Sequence, residues 1–526
     1  ASGHMAFVNK QYHVDVEEGR LGELAVGRSR VSIFDLDAPK LQVAVERDAP
    51  LDQVIATLEQ TPLVGASAFD WLAAGGDGRF TLDLQIALSD GAPPPSVSGG
   101  YAFGGNRVSM ADGRLVLSDL RGDLRFAGTR FSADNLAGTF LGRPFRAQVE
   151  PREEAQATRI RAQTRVSPGG VKSVLGETGA TPIAAAVFAS IDGVTDMQAR
   201  VDVPHGEGVV GVRLESALAG WESTLPAPLN KPAAIAWPLR LDLSIASGHI
   251  DALSARLEGS ETWRAELAFA ADGGLARSRV GNREASTDRA ETGADAAHRV
   301  GISLDALTLG PWLDWWAAVP AASGGAAGGA AGSPADIWLD ARLGRLQLGD
   351  WWLEGLSLGF APRERGWWLG VSGTENRGEL RMTGRDATSV GQLRGEFDRI
   401  KLHRTEQTGS TPESPADAWS LATLPAADLS VGSLTVADMA LGQLAISARG
   451  DNGDYRIDRV DWQPVSTLSV AGSGRVEDRV GAGPGGQQTQ LSLTLSGDDF
   501  GQALTAIHGD SPIRGGRVEE GSLSIT

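Results

Sequence analysis

Phe80-Thr81-Leu82-Asp83-Leu84-Gln85-Ile86-Ala87-Leu88 alternates a large apolar side chain with a small or polar one along its whole length. In an extended chain successive side chains leave on opposite faces. The stretch therefore has one greasy face and one wet face, as a half-buried antiparallel strand does. The pattern recurs at Leu239-Arg240-Leu241-Asp242-Leu243-Ser244-Ile245 and at Leu491-Ser492-Leu493-Thr494-Leu495-Ser496. Shorter versions stand at Leu115–Leu117, Ile337–Leu343, Leu346–Leu348 and Leu434–Val436. With 68 Gly and 25 Pro in 526 residues to supply turns, period two predicts an all-β, antiparallel chain. At roughly 16 residues per strand and turn, it holds about 30 strands.

Helical periodicity is scarce. Pro50 followed by Leu51, Val54, Ile55 and Leu58 spaces apolar residues at i, i+3, i+4 and i+7, and Pro62 closes the segment. Ser167-Pro168 opens a second candidate through Val171, Val174 and Leu175. Gly310-Pro311 precedes Trp312, Trp315, Trp316 and Val319, and Phe500 to Ile507 is a fourth. Isolated helices between blocks of strands point to repeating units with a crossing element each, not to βαβ alternation. An internal repeat agrees with this. Gly344, Leu346, Leu348 and Asp350, leading to Leu353, Leu356 and Leu358, share their spacing with Gly432, Leu434, Val436 and Asp438, leading to Leu441, Leu444 and Ile446.

Ala1 to Met5 read as the scar of a cleaved tag, and residues 6–526 as one continuous segment cut from a longer chain. Three polar or Gly/Ala-rich stretches, about 273–299, 321–335 and 403–418, read as flexible insertions into that segment. The formal charge of −18 argues against nucleic acid as a partner, because phosphate contacts need a basic face. The absence of cysteine excludes disulfides, Cys-ligated zinc and a thiol nucleophile. No run approaches the roughly 18 apolar residues of a membrane-spanning helix.

The chemical motifs have ordinary readings. Gly206-Glu207-Gly208-Val209-Val210-Gly211 fits a dinucleotide fingerprint, but its valine-rich flanks predict a hairpin. Arg121-Gly122-Asp123 and Arg449-Gly450-Asp451 read as turns. No two histidines stand at metal-ligand spacing, and none accompanies a nucleophile motif. The tryptophans at 312, 315, 316, 351, 352, 367 and 368 read first as core and strand-edge packing, with sugar stacking or lipid contact as alternatives. In each doublet the two rings point to opposite faces of a strand.

Several segments taken in order resemble the AsmA-like superfamily, in its YhdP branch. Leu225-Pro226-Ala227-Pro228-Leu229-Asn230-Lys231-Pro232 is similar to a Leu-Pro-x-Pro-Leu-x-Lys-Pro segment of that branch. Thr61-Pro62-Leu63 with Phe69-Asp70-Trp71 and Gly76-Asp77-Gly78 is similar to a second. Leu424-Pro425-Ala426-Ala427-Asp428-Leu429 with Leu441-Gly442-Gln443-Leu444 resembles a third. Ser496-Gly497-Asp498-Asp499-Phe500-Gly501 with Ile513-Arg514-Gly515-Gly516 resembles a fourth. The Gly/Ala tract and the polar insertions depart from the family pattern.

The resemblance implies an elongated, twisted antiparallel sheet curved into an open, U-shaped hydrophobic groove. It implies a bridge-like lipid transfer protein of the periplasm, anchored in the inner membrane by an N-terminal helix outside this sequence. Phospholipid acyl chains are the implied cargo and the inner and outer membranes the implied partners. No cofactor, metal or catalytic residue is called for. The expected lining is Leu82, Leu84, Ile86, Leu115, Leu117, Leu241, Leu243, Leu346, Leu348, Leu434, Val436, Leu491, Leu493 and Leu495. Two other readings fit the alternation: tandem closed β-sandwiches forming an envelope scaffold, and a Trp-rich carbohydrate-active enzyme.

Overall fold

The structure is a computed structural model. It describes residues 2–21, 24–26, 29–37, 39–59, 72–89, 95–110, 113, 115–175, 182–206, 208–246, 249–282, 296–319, 337–363, 366–384, 391–405, 425–437, 439–451, 454–466, 468–478, 487–497 and 518–525. Among these are thirty-two strands and four short helices, α1 (Leu51–Glu59), α2 (Pro168–Leu175), α3 (Pro182–Ala189) and α4 (Gly310–Ala318). The protein is all-β, with a mostly antiparallel sheet, as the period-two pattern predicts. The chain divides into two compact units, whose strands run from Ser2 to Phe269 and from Leu275 to Ile525.

In the first unit, fifteen of the nineteen strands, from Ser2–Val8 to Thr262–Phe269, pair in chain order, all antiparallel, passing over the short strands Leu24–Val26, Leu72–Gly75, Ile191–Gly193 and Trp221–Ser223. The strand Ser2–Val8 contains four of the five residues read as tag scar, and Met5 stands opposite Val14. Gly122 breaks the regularity. Its φ is +119° and a Cβ on it would lie 2.3 Å from the Asn135 carbonyl oxygen, so only glycine fits where the register with Arg130–Phe140 shifts. Arg121-Gly122-Asp123 is thus a bulge inside strand Leu115–Ala127, a correction to the expected turn. Gly206 to Gly211 does join two antiparallel strands, Thr195–Pro204 and Val210–Ser216.

In the second unit, thirteen strands from Leu275–Gly281 to Val518–Ile525 also follow chain order, but three neighbouring pairs are parallel. These are Leu275–Gly281 with His298–Thr308, His298–Thr308 with Ile337–Leu348, and Gln392–Arg404 with Ala426–Val436. A parallel neighbour needs a crossover of about a dozen residues or more. The connections 282–297, 309–336 and 405–425 supply it, and they overlap the three stretches read as insertions. The first of those stretches also contains the strand Leu275–Gly281, so its expected start at residue 273 falls too early. The internal repeat has a structural counterpart. Leu343 stands opposite Leu356 and Val431 opposite Leu444, at identical repeat positions, and both hairpins begin with a strand parallel to the one before.

The helices fall largely where periodicity puts them. Ser167 starts α2, its hydroxyl accepting from the Gly170 amide at 3.4 Å. Helix α1 has Asp52 in its first turn, and Leu51 and Val54 are buried. They pack with Val45, Phe80, Leu82, Val97, Tyr101 and Phe126 in one hydrophobic core of the first unit. The helix expected over Phe500 to Ile507 lies outside the described residues, as do Thr61-Pro62-Leu63 and Phe69-Asp70-Trp71. Among the described residues no helix is long and apolar enough to cross a membrane.

Candidate functional site: an apolar sheet face

Residues directly opposite one another on neighbouring strands project to the same face. Following the register therefore shows whether the greasy faces of individual strands join up. Met5, Val14, Val31, Val43, Leu84 and Val97 form one row across six strands. Ala133, Val149, Ile160, Val201, Val212, Leu243, Leu253 and Leu267 form another across eight. Beside it runs Leu136, Ala147, Ala162, Ala199, Leu214, Leu241, Ala255 and Ala265. Arg47, opposite Phe80, interrupts the pattern near α1.

The second unit carries longer rows. Val300, Leu339, Phe360, Leu369, Leu380, Gly395, Leu429, Ile446, Val460, Gly472 and Leu493 align without a polar side chain. So do Ile302, Ala341, Leu358, Val371, Gly378, Phe397, Val431, Leu444, Trp462, Val470 and Leu495. Gly355, at φ +61°, resets the alternation so that Leu353 and Leu356 both stay on this face, opposite Leu346 and Leu343.

All the expected lining residues sit on these faces. Leu82 stands opposite Val45, Ile86 opposite Leu41, and Leu115 and Leu117 opposite Met110 and Val108. Leu348 stands opposite Trp351, Leu434 opposite Gly442, Val436 opposite Met439, and Leu491 opposite Gly474. Their exposure differs. Leu82 is buried beneath α1, Leu348 is exposed, and the others are half-buried. The five strands from Thr195–Pro204 to Thr262–Phe269 bury no apolar side chain of their rows fully; Val201, Val212, Leu243, Leu253 and Leu267 are all half-buried.

The opposite face holds the charge. Gln148, Arg161, Arg200, Arg213, Asp242, Ser254 and Glu266 form a row directly behind the leucines. Arg159 grips Asp202 with two bonds of 2.6 and 3.1 Å, and Arg213 and Arg240 share Asp242 at 2.5 and 2.8 Å. Burial pushes the Asp242 carboxyl up, but hydrogen bonds from Arg240 and Arg213 outweigh it and hold the group below its ordinary value.

Sequence comparison gives this architecture its family. A family model described as YhdP protein matches residues 1–525. The chain belongs to the YhdP family, within the AsmA-like group. No curated protein and no solved structure matches it.

In this YhdP-family chain the Leu-Pro-x-Pro-Leu-x-Lys-Pro segment is structural. Leu225 and Lys231 are buried, and the Lys231 ammonium donates to the carbonyls of Trp221 at 2.6 Å and Pro232 at 3.2 Å. Burial lowers the affinity of Lys231 for its proton. The tryptophan doublets divide as the strand period requires. Trp367 stands opposite Met382 on the apolar face, while Trp368 donates its indole N–H to Glu379 on the other and stacks on Trp338. Trp351 faces Leu348, and Trp352 stacks on His403. Sequence reasoning missed the knot beneath α1. Tyr101 donates to the Ala49 carbonyl at 3.0 Å and accepts from fully buried Asn106 at 3.2 Å, in a strand whose polar residues carry no signal of burial.

Proposed function

We propose that this protein is a phospholipid conduit of the bacterial envelope, holding acyl chains against its apolar sheet face as they cross the periplasm between inner and outer membranes. The observation that carries the reading is the set of uninterrupted apolar rows whose side chains, from Thr195–Pro204 to Thr262–Phe269, are only half-buried, with charge kept to the other face. Such a face lowers the free energy of an acyl chain by about 0.8 kcal/mol per CH₂ removed from water. Because the rows are built mostly of Leu, Val, Ile, Ala and Gly, with Met5, Phe360, Phe397 and Trp462 among them, neighbouring positions along the sheet are similar in character. A chain can slide without leaving a deep well. Membership of the YhdP family supports the same assignment. No catalytic step, metal or cofactor is needed for it.

The closed-sandwich scaffold is less favoured, because a second sheet packed on Val201, Val212 and Leu243 would bury them. The sugar-binding reading is also less favoured: Trp352 and Trp368 each have a ring face taken by a neighbouring ring. The test is photocrosslinking from single positions. A probe at Leu84, Leu243 or Leu493 captures phospholipid, and one at Asp83, Asp242 or Ser492 does not. Equal capture from both sets, or none from either, overturns the proposal.

A further inference from the structure

The polar face of the second unit carries a cluster unrelated to lipid. Strand Trp351–Arg363 meets Gln392–Arg404 through the pairs Trp351 with Arg404 and Trp352 with His403. The rings of Trp352 and His403 stack at 4.0 Å and 13°, and the Arg345 guanidinium lies 4.1 Å from the Trp352 ring centre. A stacked imidazole is restrained to its own plane, which holds the direction of its nitrogens. Nε2 of His403 points at Glu375, 2.7 Å from Oε2. Glu375 lies between strands Gly366–Ser372 and Arg377–Thr383, and its other oxygen accepts from Lys401 at 3.0 Å. Glu354, two residues beyond Trp352 and on the same face, completes a trio whose donor atoms all lie within 4.8 Å of one another. Neighbouring Asn376 is 2 % exposed; its Oδ1 accepts from the Lys401 amide, and its Nδ2 has no partner among the described residues.

We propose that Glu354, Glu375 and His403 form a binding site for a divalent transition cation, with zinc the best match to the donors. One imidazole nitrogen and two carboxylate oxygens suit zinc at about 2.0–2.2 Å and leave a fourth position for water. Calcium, which takes six or more oxygens, has too few here. Without the cation, Lys401 and His403 both contact the Glu375 carboxylate. The cation takes their place, drawing Glu354 and Glu375 onto His403 and fastening the two strands and the intervening link at one point.

The experiment is calorimetric titration of the whole chain with zinc chloride, paired with thermal unfolding in zinc and in chelator. The wild type binds one zinc that saturates in the micromolar range, and zinc raises its unfolding temperature. H403Q and E375Q lose that equivalent. E354Q, at an exposed residue and so little threat to folding, weakens it about tenfold. K401M tightens it by removing the competing ammonium, a gain that a purely structural ion-pair network does not produce. No zinc uptake by the wild type at about 100 μM, far above the affinities usual for such sites, overturns the proposal. So does a titration unchanged in H403Q and E354Q, or zinc binding lost in K401M.

Discussion

At the scale of single residues, burial separates two leucines that look alike in sequence. Leu343 is 3 % exposed and packs against Leu304 and Leu356, while Leu243 is only half-buried in its row. Leu343→Ala should cost about 2–5 kcal/mol, because it leaves a cavity as well as losing transfer energy. Leu243→Ala should cost less, about 1–2 kcal/mol. Chemical unfolding checks both, and similar costs would mean that Leu243 is covered in solution. Tyr101→Phe removes the hydroxyl that donates to the Ala49 carbonyl and leaves the Asn106 amide with only the Gly75 carbonyl to donate to, and should cost about 1–3 kcal/mol. Alternation located Leu243 on a greasy face, but it carries no information on what lies above that face. The cover over Leu82 comes from α1, whose position depends on packing, not period.

At the scale of elements, neighbouring strands are tied on the polar face by carboxylates held below their ordinary range. The Trp368 indole and Arg381 do this to Glu379, and Ser447 and Gln392 do it to Asp428, each of those two at 2.7 Å. A depressed folded value means the stabilisation is complete above the unfolded value, about 4, and lost as pH falls through the folded value. The unfolding temperature should therefore stay level from about pH 7 to 5 and drop below about pH 4. Glu379→Gln with Asp428→Asn should flatten that drop, read by calorimetry across pH. The strands themselves were legible: Phe80 to Leu88, Leu239 to Ile245 and Leu491 to Ser496 all lie in or overlap strands of that register. The parallel pairs were not. Direction is set by where a crossover returns the chain, and the composition of the connections 282–297, 309–336 and 405–425 does not encode that return.

At the scale of the molecule, each unit carries its own apolar rows, so each should hold lipid by itself. Leu243→Asp places a carboxylate in one row and Leu369→Asp in another, where an unpaired charge beside an acyl chain is strongly disfavoured. Native mass spectrometry should show bound lipid falling in part with either substitution and almost wholly with both. Unchanged loading in the double variant would remove the rows from the lipid path.

Period two, imposed by the backbone of every extended residue, is enough on its own to make this protein β-stranded and two-faced. Fifteen strands in one unit and thirteen in the other follow chain order, so adjacency too was close to local. The tertiary structure alone decided the register that joins short leucine runs into rows across many strands. It also decided which parts of the face α1 closes. It brought Glu354, Glu375 and His403 together across three segments, since ligands on different strands share a site only once pairing sets their distance. The greasy face was written in the alternation; that it stays half-open was written only in the packing.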